Sequence, residues 1–199
     1  MQGMNETYLA ETKTINYSDP LIREKVSELR NSAGSTLDYI SMAYEFVRDE
    51  ISHSWDAGLT TVSRNAADVL RNKTGICWTK SCLLAALLRA NNIPSGISYQ
   101  LLTRADEDAR DGYIIHALNT VYIEELDKWI RLDARGNKKN VYAQFALGQE
   151  RLAFPVREEL GEADYGNNDP DLDERLVKIL NNTDNILTVT TDFTMEKST

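Results

Sequence analysis

The hydrophobic period of this chain changes once, at Pro94, and no other feature restricts its fold as strongly. Before that point apolar residues recur three and four positions apart, as they do when one stripe of a helix faces a core. Ile22, Val26 and Leu29 form one such stripe, opened by Asp19-Pro20 as N-cap and first helical residue and closed by Gly34. A second helix, from Ser35 or Thr36 to about Asp49, has Leu37, Ile40, Ala43 or Tyr44, Val47 and Ile51 on its apolar face. A short helix from Ser63 to about Leu70 follows. A long apolar helix begins near Cys77, buries Leu83, Leu84, Leu87 and Leu88, and stops at Asn91-Asn92-Ile93-Pro94. From Gly96 the period is two: Ile97, Tyr99 and Leu101, then Tyr113 to Ile123, then Lys128 to Ala134. Helices first and strands later predict an α+β fold, with N-terminal helices packed on an antiparallel sheet, and not an alternating α/β sheet. An amphipathic segment from Leu172 to Leu180 precedes a polar tail.

Charge and composition narrow the partners. There are 22 Lys and Arg against 31 Asp and Glu, a formal net charge of −9. Such a chain has no general attraction for nucleic acid or an anionic membrane, both of which need clustered Lys and Arg. No stretch reaches the 18 or so apolar residues of a membrane span. The opening residues Met1-Gln2-Gly3-Met4-Asn5-Glu6-Thr7 have neither a basic nor an apolar region of a signal peptide, so a cytosolic location is expected.

The two cysteines, Cys77 and Cys82, lie five residues apart and point away from each other on one helix, so a redox pair is not expected. With two histidines in the chain, neither a metal site nor another cofactor is expected. Asp106-Glu107-Asp108 with Asp111 lacks the glycine of an EF-hand loop and reads as a solvated acidic loop.

Cys77 is the informative residue. Gly75 is expected to let the chain turn sharply ahead of it, and Cys77 falls at the start of the most apolar helix. Unpaired N–H groups and the helix dipole at such a position favour a thiolate and can hold a developing oxyanion. Cys82, among Ser81, Leu83, Ala85 and Ala86, reads as packing. A thiolate nucleophile needs a base, and the base needs an orienting group. His116 lies in the strand Tyr113-Ile114-Ile115-His116-Ala117-Leu118-Asn119, and Asp133 in the next, Trp129-Ile130-Arg131-Leu132-Asp133-Ala134. Their midpoint falls between Glu124 and Glu125, so closing that hairpin brings them within a position or two of register. An Asp there can accept the His Nδ1–H. A Cys at a helix start, with His and Asp on adjacent antiparallel strands, is a papain-like constellation.

Three segments together resemble the core of the transglutaminase-like superfamily. The first is Thr74-Gly75-Ile76-Cys77-Trp78-Thr79-Lys80-Ser81 with Leu83 to Pro94, the second His116-Ala117-Leu118-Asn119-Thr120-Val121-Tyr122, and the third Trp129 to Asn137. Phe46 to Ser54 and Gln149 to Val156 are also similar to the stand-alone bacterial members, often called transglutaminase-like cysteine proteases. Two positions depart from the pattern: Asn92 stands where Gly is usual, and Gly96 where many members have Arg.

The resemblance implies a papain-like cysteine proteinase fold with Cys77 as nucleophile, His116 as base and then acid, and Asp133 as orienter. It implies one domain over 1–199, with a core of about 19–155 and a C-terminal extension of 156–199. The expected activity is acyl transfer from an amide through a thioester, with hydrolysis ahead of transfer to an amine. The partner is then a peptide, protein or small amide substrate. A reading of another class is a catalytically silent binding module. His53, Trp55 and Trp78 are the candidates for a second oxyanion donor, and Arg131, Arg135, Lys138 and Lys139 are expected to shape the rim beside Asp133.

Overall fold

The computed structural model describes residues 6–104 and 109–195, so the acidic triplet Asp106-Glu107-Asp108 lies outside the described residues. Helix α1 (Pro20–Ser32) starts as the sequence dictates: the Asp19 carboxylate accepts the Leu21 N–H and Pro20 occupies the first turn. Helix α2 (Thr36–Glu50) is capped by Ser35, whose hydroxyl accepts the Asp38 N–H. Next come strand β1 (Ser52–His53), helix α3 (Ser54–Ala57), helix α4 (Ala66–Asn72) and strand β2 (Thr74–Gly75). The short fourth helix thus begins later than Ser63, because Asn65 supplies the N-cap through the Asp68 N–H.

Helix α5 (Cys77–Arg89) is buried along its whole length. Its Leu83, Leu84, Leu87 and Leu88 are all fully covered, and so is Cys82, where burial pushes the thiol pKa well up. Helices α1, α2 and α4 pack on one side of α5, and strands β3 (Ser95–Thr103) and β4 (Tyr113–Ile123) pack on the other. A helix enclosed from all sides reads as apolar all round, which is why its sequence stripe is broad.

The sheet is antiparallel in the order β5-β4-β3-β6, with β5 at Lys128–Leu132 and β6 at Ala163–Asp164. The mixed helical and antiparallel architecture is the α+β fold expected from the change of period. Helix α6 (Glu174–Asn181) then buries Leu176 and Leu180 in the same hydrophobic core. Among the described residues no helix is long and apolar enough to cross a membrane.

Both departures from the family pattern have a local cause. Asn92 adopts φ 60°, a left-handed conformation that Asn tolerates better than other side chains, so it serves where Gly is usual. At Gly96 a Cβ would meet Asn168 Oδ1 at 2.1 Å, Thr120 Oγ1 at 2.7 Å and the Asp169 carbonyl at 2.9 Å. The segment around Asp169 pairs with Ile97 through two 2.8 Å backbone hydrogen bonds and fills the space a side chain at 96 would need.

Candidate active site

The core places Cys77 at the first position of α5. Ile76 is the N-cap and no side chain caps the first turn, so its leading N–H groups have no side-chain acceptor. Gly75 allows this by being small: a Cβ there would sit 2.7 Å from Thr79 Oγ1 and 3.1 Å from Val69 Cγ2. Its φ is not positive, so close packing, and not the sharp turn the sequence suggested, accounts for the glycine.

The β4–β5 hairpin supplies the other two groups. Its register pairs Asn119 with Leu132, and one further step puts Asp133 opposite Leu118, two residues from His116 on the same face. The offset is spanned by the far nitrogen of the ring: His116 Nε2 lies 2.8 Å from Asp133 Oδ2. The expectation of an Nδ1 contact is corrected accordingly. Asp133 Oδ2 also accepts the Ala153 N–H at 3.0 Å, and Oδ1 accepts the Arg135 N–H at 3.1 Å.

Charge follows from these contacts. Burial pushes the His116 imidazole down, but the Asp133 carboxylate, the Cys77 sulfur and hydrogen bonding to both raise its pKa to about 10. For Asp133, burial works against ionisation, and the His116 charge with three hydrogen bonds holds the carboxyl below its usual range. The Phe154 ring stands edge-on to His116, with centroids 5.3 Å apart.

Cys77 and His116 line one cavity of about 480 Å³, together with His53, Trp55, Phe154 and a set of charged side chains. The three expected oxyanion candidates divide. Trp55 Nε1 donates to the Ile186 carbonyl at 3.0 Å and Trp78 Nε1 to the Ile115 carbonyl at 2.7 Å, so both indoles are committed to the scaffold. His53, set beside Gly75 by the β1–β2 register, lines the cavity, and its buried Nδ1 makes no hydrogen bond. Burial, then the Arg135 charge, keeps this imidazole well below the usual histidine range.

Of the expected rim cations, Arg135, Lys138 and Lys139 line the cavity, while Arg131 is drawn away by Glu150 and Asp164. Sequence reasoning missed Asp56, whose carboxylate accepts from Arg135 Nη1 at 2.6 Å and Nη2 at 2.9 Å. It also missed Lys80, whose buried Nζ donates to the Arg48 and Ile51 carbonyls at the end of α2. No spacing rule marks either residue, because their partners are 79 and about 30 positions away.

No curated protein sequence matches this chain. Among solved structures, a candidate cysteine protease from Cytophaga hutchinsonii superposes with a TM-score of 0.55 at 17% identity, over 68% of this chain and 43% of that one. The periplasmic domain of TgpA from Pseudomonas aeruginosa gives 0.50 at 16% identity, over 67% and 47%. This chain therefore matches under half the length of either, and the likeness establishes the papain-like fold alone. The sequence model of the transglutaminase-like superfamily matches residues 23–134, which run from within α1 to just past β5 and take in Cys77 at the start of α5 and the His116 strand. More than half of the chain lies within that match, and the chain belongs to the transglutaminase-like superfamily.

Proposed function

We propose that this protein hydrolyses amide or peptide bonds through a Cys77–His116–Asp133 triad and a thioester intermediate. The observation that supports it best is the 2.8 Å contact between His116 Nε2 and Asp133 Oδ2, on a histidine that shares a cavity with Cys77. The Cys77 sulfur attacks the substrate carbonyl carbon, forming a C–S bond. The uncapped N–H groups at the start of α5 receive the oxyanion. Collapse breaks the C–N bond, and His116 gives its proton to the departing amine. His116 then takes a proton from water, whose oxygen attacks the thioester, releasing the acid and restoring the sulfur. Asp133 fixes the ring and balances its charge throughout.

Hydrolysis is favoured over transfer to an amine by the walls of the cavity. Charged side chains outnumber the two aromatic ones, Trp55 and Phe154, so the lining lacks the aromatic shield against water that amine transfer calls for. A cytosolic location belongs to the same reading, and the two free cysteines fit it.

The test is turnover of a fluorogenic peptide pool in ¹⁸O-water, with intact-protein mass spectrometry to trap the acyl-enzyme. Hydrolysis places one labelled oxygen in the product acid, and Cys77→Ala abolishes both product and adduct. Products carrying an added amine would favour transfer, and neither product nor adduct would leave a binding module.

A further inference from the structure

The cavity is charged oppositely to the chain around it. Arg104, Arg135, Lys138, Lys139 and Arg157 line it, against Asp56 and Glu162, in a protein whose net charge is −9. Both carboxylates are already engaged within the fold. Asp56 holds Arg135 through two hydrogen bonds and Lys138 Nζ at 3.2 Å. Glu162 accepts the Thr103 N–H at 3.0 Å, the Thr103 hydroxyl at 2.9 Å and the Arg157 N–H at 2.8 Å, with the Arg157 guanidinium closing the cluster. A cationic substrate would thus meet five like charges and no unengaged carboxylate.

An anionic substrate finds the opposite. Lys139 and Arg104 have no carboxylate partner among the described residues. Arg104 lies over the Trp55 ring at 5.9 Å and its guanidinium donates to the Val189 carbonyl, and both cations are exposed. The same cavity has apolar lining from Leu102, Ile114, Val141, Phe154 and Pro155. That combination suits methylene groups ending in carboxylates. A cleft lined by one sign of charge with apolar walls focuses its field on what enters.

We infer that the substrate is a peptide amide flanked by acidic side chains, recognised by Arg104 and Lys139 at the rim of the Cys77 cavity. This specificity deepens the proposed hydrolase and rests on it. The amide bond is cut as described above, and the rim cations bind carboxylates without taking part in bond making.

Two probes of nearly equal shape test the inference without turnover. Iodoacetate and iodoacetamide both alkylate the Cys77 sulfur with loss of iodide, and only iodoacetate carries a charge. Each rate at Cys77, read by peptide mass spectrometry, is divided by the rate with a small neutral thiol. The expected preference for iodoacetate is about fivefold at low salt, and 1 M salt removes it, since the screening length there is about 3 Å. The double change Arg104→Gln and Lys139→Gln lowers the preference about threefold, whereas Lys178→Gln, on the exposed side of α6, does not. Equal rates for the two probes, with Cys77 still labelled fast, would overturn the acidic specificity and leave the nucleophile intact. A preference undiminished in the double variant would overturn the assignment to Arg104 and Lys139. Labelling of Cys77 by neither probe would overturn the nucleophile itself, and the specificity with it.

Discussion

The oxygen of Asp133 that meets His116 Nε2 at 2.8 Å is the same one that accepts the Ala153 N–H at 3.0 Å. The other oxygen is held by the Arg135 N–H, so the carboxylate cannot turn without breaking a backbone contact. Asp133→Asn keeps this shape but puts an amide donor or a neutral oxygen against the ring. It is expected to lower kcat by about 10²–10⁴-fold, with KM little changed. Steady-state kinetics on any peptide the wild type cleaves checks this, and a change in KM alone would contradict it.

The same variant predicts a pH dependence of stability. The pKa of His116 in the folded protein, about 10, lies above its ordinary 6.5, so the stabilisation from its charge is complete below about pH 6.5 and lost as pH rises through 10. Lys80 acts in the opposite sense over an overlapping window, because burial and the Arg135 charge lower it to about 7. Asp133 also raises the Lys80 pKa, so both proteins carry Lys80→Met in this comparison and their difference reports His116. The Tm advantage of the wild type is expected to shrink between pH 7 and pH 10, and a constant gap would refute the His116–Asp133 coupling.

Glu162 is a buried carboxylate that ties Arg157 and Thr103 into the cavity wall. Burial opposes its charge, but the Arg157 guanidinium and backbone N–H groups lower its pKa to about 2. A depressed value means that its stabilisation is present above about pH 4.5 and lost as pH falls through 2. Glu162→Gln should cost about 2 kcal/mol at pH 7, by replacing the carboxylate that accepts from the Thr103 and Arg157 N–H groups with a neutral amide. The variant should also lose less stability on acidification than the wild type does, as thermal melts at pH 7 and pH 3 would show.

Gly96 and Asn92 predict opposite responses to substitution. Gly96→Ala drives a Cβ into Asn168, Thr120 and the Asp169 carbonyl, and should cost about 1–3 kcal/mol. Asn92→Gly removes the strain of φ 60° while loosening the unfolded chain, and should stay within about 0.5 kcal/mol of the wild type. Denaturant midpoints for the two proteins provide the comparison. A tolerated alanine at 96 would mean that the segment around Asp169 does not pack as described.

These positions also mark what a sequence can carry. The helices with side-chain caps at Asp19 and Ser35, and the strand Tyr113–Ile123, are legible because their signals are local: a cap, a stripe, an alternation. The meeting of His116 and Asp133 is legible for the same reason, since a short hairpin fixes register through its turn. What escapes are pairings without a local pattern. Strand β6 has two residues and no alternation, yet it completes the sheet beside Gln100 and Leu101. The Ala153 N–H reaches Asp133 across 20 positions, and Arg135 reaches Asp56 across 79. The choice of Nε2 over Nδ1 depends on a two-residue offset that a midpoint argument leaves open.

The central claim is that Cys77 is a nucleophile activated by His116. Its most direct test is iodoacetamide labelling of each cysteine at pH 6, in wild type and in His116→Ala, with Cys82 as the internal control. The account predicts fast labelling of Cys77, none of the fully buried Cys82, and at least about tenfold slower labelling of Cys77 in the variant. Slow labelling of Cys77 in both proteins, rising only above about pH 8 as for a free thiol, would contradict it.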